Sequence, residues 1–226
     1  MKIVMTEYSL HADIKGWYSK AKHPVEVKVD EFIVDVINED GLLIEIQTRN
    51  LSAIKKKLRK LLKGNKVRLV YPIAKIKWIV YVSDAGEIVK KRKSPKKGKI
   101  TDLFVEMVHL PSLINNENFS IEVLFIEEKE LRCNDGKGSW RRKGISVKDR
   151  KLLKIFGSVI FEKKTDFLKV LPDNMDDPFT NKILAKKMGI PIRLAQKITY
   201  CLRKMNAVTV VDKKRRELVF EIVKEN

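Results

Sequence analysis

Cysteine is scarce in this chain: Cys133 and Cys201 are the only two. Two thiols make neither a disulfide framework nor a zinc cluster, so an ordinary hydrophobic core must hold the fold, and a reducing, cytoplasmic location is expected. Cys201 reads as small core filler rather than a reactive thiol. Histidine is nearly as rare, and His11, His23 and His109 share no ligand-like spacing, so they read as surface or helix-packing side chains. No apolar run approaches the roughly 18 residues of a spanning helix, and no signal peptide opens the sequence, so no membrane association is expected. Acidic residues are also in deficit. Against 48 Lys and Arg stand 29 Asp and Glu, giving a formal charge of +19 and a pI near 9.8. Thermophile-style enrichment would raise both signs together, so the imbalance points to a polyanionic partner, nucleic acid first. An obvious aromatic stacking motif of the kind used on RNA is missing, which favours DNA over RNA.

The 226 residues, 44% of them hydrophobic, suffice for one large or two ordinary domains with real cores. Leu10, Ile14, Trp17 and Tyr18 recur at helical spacing within 5–20, and three β-rich runs follow at 25–29, 32–37 and 42–48. A second helix is expected over 51–63, with Leu51, Ile54, Leu58, Leu61 and Leu62 as its apolar stripe and Lys55, Lys56 and Arg59 among the basic residues around it. Strands at 67–71 and 78–82 complete a mixed α/β arrangement. The basic stretch 90–99 has seven cationic residues, with Pro95 and Gly98 among them, and reads as a solvated loop able to touch phosphate. A short apolar helix at 100–108, a strand at 120–126 and a basic turn at 134–143 follow. In that turn Trp140 reads as a core residue, with base stacking beside Arg141 and Arg142 as the alternative.

Residues 148–156 and 165–171 read as helices ahead of Asp176-Asp177-Pro178. Thr180 is a plausible N-cap for a helix carrying Ile183, Leu184 and Met188. Gly189 supplies a turn, and Pro191 opens a second helix reaching Met205. Val208–Val211 and Leu218–Ile222 flank a charged tip. Two helices followed by such a hairpin read as a winged helix. Arg193, Gln196, Lys197 and Tyr200 fall on the outer side of its second helix, opposite Leu194, Ile198, Leu202 and Met205, and suit major-groove contact. Lys213, Lys214, Arg215 and Arg216 at the tip suit phosphate or minor groove. Winged helices also serve as protein-protein modules, and the charge favours DNA.

Residue parity organises the hairpin at 32–48. Phe32, Val34, Val36, Leu42, Ile44 and Ile46 form one apolar face; Asp35, Glu45 and Gln47 lie on the other. A three-residue loop, Glu39-Asp40-Gly41, sets Asp35 directly across from Glu45. Two facing carboxylates repel, and a divalent cation between them converts the repulsion into coordination. Glu7, on the stripe of Leu10, Ile14 and Trp17, offers a third carboxylate. Acids merely facing solvent, or paired with Lys28 and Arg49, are the plainer alternative.

At these residues the chain resembles the PD-(D/E)xK nuclease superfamily, in which an acidic residue on a first helix precedes an Asp in one strand and Glu-x-Lys in the next. Glu7, Asp35 and Glu45-x-Gln47 take those places, with Gln47 where Lys is usual. The resemblance covers about residues 1–82. It implies a restriction-endonuclease-like mixed sheet flanked by helices, with Mg²⁺ or Mn²⁺ held by Asp35, Glu45 and the backbone carbonyl of Ile46. It further implies that Gln47 orients the attacking water, that Glu7 assists, and that two copies pair where both strands are cut. The expected organisation is a nuclease-like core at 1–89, a basic loop and α/β extension or bridge at 90–146, and a helical segment with the winged helix at 147–226. The expected function is a metal-dependent DNA endonuclease, with a non-catalytic DNA-binding regulator on a degenerate nuclease fold as the alternative.

Overall fold

Alternating apolar residues and one well-placed glycine build the hairpin on which the rest depends. In the computed structural model, which describes residues 9–19, 23–83, 85–175 and 177–223, they form strands β2 (Phe32–Ile37) and β3 (Leu43–Ile46). Gly41 has φ 75° and donates to the Asn38 carbonyl at 3.0 Å, while the Asn38 N–H reaches the Leu42 carbonyl at 3.1 Å. A three-residue turn ending in a left-handed residue matches the twist of the strands, and glycine takes that conformation without strain. The register that follows pairs Val36 with Ile44 and Ile37 with Leu43.

Contacts divide the chain into two units. The first contains the described residues of Met1–Thr48, Val70–Lys99 and Val123–Ser158; the second contains those of Arg49–Leu69, Ile100–Glu122 and Val159–Asn226. The segment 90–146 is therefore shared between them. A large mixed sheet with flanking helices makes the protein α/β. Its further strands are β1 (Val25–Val29), β4 (Val67–Val82), β5 (Ile88–Lys93), β6 (Phe119–Cys133) and β7 (Ser146–Phe161). Their order is β1-β2-β3-β4-β6-β7, with β5 paired to β4.

In the first unit, helix α1 (Ser9–Ser19) lays Leu10 and Ile14, both fully buried, on Val36, Ile44, Ile46, Val70, Leu124 and Ile126. That is the apolar face given by parity. Residues 67–82 form one long strand rather than two. Lys90–Lys93, expected as loop, are strand: Trp78 pairs with Lys93 and Tyr81 with Lys90. Strand pairing needs only backbone groups, and charged side chains are at home on an exposed edge. Residues 148–156, expected as helix, lie inside β7. Leu152, Ile155 and Phe156 imitate a helical stripe, but pairing with β6 overrides local periodicity, and Leu152 and Ile155 reach the core from a strand.

In the second unit, α2 (Leu51–Leu61) buries its predicted stripe of Leu51, Ile54, Leu58 and Leu61. Helices α3 (Leu103–Met107) and α4 (Lys164–Leu168) contribute to an aromatic core in which Phe161 stacks on Phe167 at 4.5 Å and Phe104 meets Phe167 edge-on at 6.2 Å. Strand β8 (Phe179–Thr180), α5 (Asn181–Met188), α6 (Ile192–Lys204), β9 (Val208–Lys214) and β10 (Glu217–Ile222) follow, with sheet order β8-β10-β9. The Thr180 hydroxyl caps α5 by accepting from the Ile183 N–H at 3.4 Å, and Gly189, at φ 59°, ends it. Asp176 lies outside the described residues.

Candidate functional site

The turn register, continued by one residue, sets Asp35 opposite Glu45. There the ladder gives way to a side chain, because the Ile46 N–H donates to Asp35 Oδ2 at 2.8 Å. From this point β2 continues its pairing with β1, Val34 facing Val27, while the Gln47 N–H turns to the Val70 carbonyl at 2.9 Å. Asp35 thus marks the fork where two strands part. Its side chain is 17% exposed, and Glu45 is buried.

Into this fork comes His11 from α1. Its Nε2 donates to the Ile46 carbonyl at 2.9 Å and stands 3.3 Å from Asp35 Oδ2. The helix is pinned on both sides of the imidazole. Asp149 of β7 accepts the Ser9 N–H and hydroxyl at 3.0 and 2.6 Å, and Asp13 accepts the Leu152 N–H at 2.9 Å. Burial works to raise the Asp149 pKa, but the Ser9 bonds and the Arg150 N–H outweigh it and hold the carboxyl below its usual range.

The structure therefore joins Asp35 to the backbone of Ile46, seats Glu45 by register, and places Gln47 just past the end of β3. Glu7 lies outside the described residues. Among the described residues, no three His, Cys, Asp or Glu side chains gather at metal-ligand spacing. The histidine at this site was not among the expected site residues. The available signal was its place four residues after Glu7, one helical turn in sequence.

Further along the first unit, a ladder of charge crosses β4, β6 and β7. Glu128 is fully buried between Lys77 Nζ at 2.7 Å and Arg150 Nη2 at 2.5 Å. Trp140, expected in the core, is 83% exposed, with the Arg141 guanidinium 5.6 Å from its ring centre. It sits in a turn closed by the Gly138 N–H on the Gly144 carbonyl at 2.7 Å. Lys91 and Lys93 lie 4.6 and 5.9 Å from the ring of Trp78 on the basic edge hairpin.

In the second unit, Lys56 and Arg59 of α2 are exposed and Lys55 is half-buried. Arg193, Gln196 and Tyr200 stand on the outer side of α6, whereas Lys197 is half-buried and donates to the Val105 carbonyl at 3.2 Å. Leu194 is half-buried, and the inner side is formed by Ala195, Ile198, Cys201 and Leu202. Burial pushes the Cys201 thiol up to about 12, as fits an inert core residue. Lys213, Lys214, Arg215 and Arg216 are all exposed around a two-residue tip at which Arg215 has φ 56°.

The chain belongs to the family described as a domain of unknown function, DUF8091, whose sequence model matches residues 8–162. The match takes in the fork and α1 and stops before α4. A relative from Treponema pallidum (strain Nichols), described as an uncharacterized protein, is 30% identical over 215 residues, which cover 95% of this chain and 84% of the relative. No solved structure matches the chain.

Proposed function

We propose that this protein is a divalent-metal-dependent DNA endonuclease of the PD-(D/E)xK type. One observation carries the reading: the Asp35 carboxylate and the Ile46 carbonyl both approach His11 Nε2 beside the register position of buried Glu45, where β2 and β3 part. The donor set suits a hard or borderline cation. Two oxygen donors of different residues point at one place, and the group there, His11 Nε2, donates a hydrogen bond, as a partial positive charge would. Asp35, Glu45 and the Ile46 carbonyl would hold Mg²⁺ or Mn²⁺. Such an ion supplies a bound water of lowered pKa and neutralises charge that grows on the phosphate oxygens. Gln47 offers an amide to orient that water, but cannot match the charge stabilisation of a lysine.

Substrate positioning falls to the second unit in this reading. The order α4-β8-α5-α6-β9-β10, with β8 beside β10, supports a winged helix. Its α6 presents Arg193, Gln196 and Tyr200 to a major groove, and the tip of Lys213 to Arg216 offers cations to phosphates. The formal +19 charge supports duplex DNA as the partner. A dimer would bring two such sites to the two strands.

Gln47 favours one rival, a DNA-binding regulator that keeps the fold without cleavage. Incubating the protein with plasmid, branched DNA and RNA in Mg²⁺ or Mn²⁺, beside Asp35→Ala and Glu45→Ala, separates the two. DNA nicking abolished by either substitution is the expected result. Cleavage indifferent to both removes the site, and binding without cleavage in either metal leaves the regulator.

A further inference from the structure

The geometry points to His11 as a direct ligand of the cation, adding an imidazole nitrogen to the oxygens of Asp35 and Ile46 and biasing the site toward a transition metal such as Mn²⁺ over Mg²⁺. This rests on the endonuclease reading of the same site. Adjacent ligands of an octahedral cation at about 2.1 Å stand about 3 Å apart. His11 Nε2 is 2.9 Å from the Ile46 carbonyl oxygen and 3.3 Å from Asp35 Oδ2, so the imidazole nitrogen already stands from each oxygen at about the spacing of adjacent octahedral ligands.

A carbonyl oxygen only accepts, so Nε2 carries the proton that faces it. A cation bound to both oxygens lies within bonding reach of Nε2 and takes that proton's place: a neutral ring shifts its proton to Nδ1, an imidazolium releases one to solvent, and in both cases the ring binds as neutral Nδ1–H imidazole. The helix that carries the ring is held by Ser9 on Asp149, by Asp13 on Leu152, and by the fully buried Leu10 and Ile14, so the imidazole is presented at the two oxygens from a fixed backbone. Imidazole binds first-row transition ions far better than Mg²⁺, which prefers oxygen and water. The site so formed differs from an all-oxygen centre by this one donor.

The test titrates the full-length protein with Mn²⁺ and with Mg²⁺ and records pulsed electron paramagnetic resonance spectra of the bound Mn²⁺. Wild type is compared with His11→Gln, whose amide can still donate to the Ile46 carbonyl, and with Asp35→Asn. Expected are a nitrogen coupling in wild type that is absent in His11→Gln, and Mn²⁺ affinity lower by at least about tenfold with Mg²⁺ affinity changed much less. Labelling with ¹⁵N-histidine must convert the coupling to that of ¹⁵N, which decides the matter from wild type alone if His11→Gln does not fold. Mn²⁺ bound in an Asp35-dependent manner without nitrogen coupling overturns the ligand role of His11 and leaves the endonuclease site standing. Mn²⁺ that fails to bind, or binds regardless of Asp35→Asn, overturns the site reading itself and this inference with it.

Discussion

Asp149 accepts both the hydroxyl and the backbone N–H of Ser9, at 2.6 and 3.0 Å, so a strand side chain caps the first turn of the helix that carries His11. Charge-assisted bonds of this kind contribute about 1.5–3 kcal/mol each way they are measured, and Asp149→Ala is expected to lower unfolding free energy by about that amount. Urea titration checks it. The pH dependence has a definite sign. The Asp149 pKa is depressed in the folded state, so its stabilisation is complete above the unfolded value of about 3.9 and is lost as pH falls through the folded one. Asp149→Asn should therefore flatten the acid limb of the stability profile below about pH 4. A profile identical to wild type there would show that the cap carries no stability.

Glu128 is expected to be far less replaceable. It is fully buried between Lys77 and Arg150, and Glu128→Gln removes the counter-charge the two cations share, leaving Lys77 with Glu130 at 3.4 Å. Breaking a buried pair from one side costs about 3–5 kcal/mol. The exposed pair of Lys169 and Asp166, at 2.8 Å, supplies the control: Lys169→Ala should cost under about 1 kcal/mol. Thermal and urea unfolding of the two variants should differ accordingly. Equal losses would remove the argument from burial.

Within the endonuclease proposal, Gln47→Lys should raise the single-turnover cleavage rate by about tenfold or more, since one preorganised charge at developing phosphate charge is worth at least that. Its backbone is fixed by the bond to the Val70 carbonyl, so the new side chain starts from the same place. The gain should vanish in Gln47→Lys combined with Asp35→Ala. A slower enzyme would show that the amide has a role lysine cannot take.

The winged-helix proposal makes a prediction about salt. Replacing Lys213, Lys214, Arg215 and Arg216 by Ser should reduce the slope of log affinity against log salt by about 0.9 for each phosphate contact removed. Affinity for different duplex sequences should fall together, because these side chains reach the backbone rather than base edges. Arg193→Ala and Gln196→Ala should instead alter sequence preference. Binding isotherms at several salt concentrations read both effects, and an unchanged slope would take the tip out of the interface.

Local rules made the hairpin legible from sequence. Alternation assigned the faces of β2 and β3, Gly41 set the turn, and parity brought Asp35 and Glu45 together, because all three depend on neighbours within a dozen residues. The stripe of α2 and the cap at Thr180 were readable for the same reason. What escaped depends on distant chain. Residues 148–156 carry a helix-like stripe, and their pairing with β6 is invisible to any window along the sequence. The lysines of β5 conceal an edge strand, since their backbone pairs with β4 while both faces meet solvent. His11 has no motif of its own. Its meaning comes from α1 docking on β7 and the core, which turns an isolated imidazole toward the carbonyl of Ile46.

The turn at Glu39-Asp40-Gly41 also sets which kinds of sequence change the site can survive. Glu39 and Asp40 are exposed, so their identity can drift at little cost. Their number cannot. One residue gained or lost there shifts β3 by a single step, exchanges its two faces, and sets Asp35 opposite a buried isoleucine instead of Glu45. Substitution and insertion, close in kind at most surface loops, therefore have opposite consequences at this one.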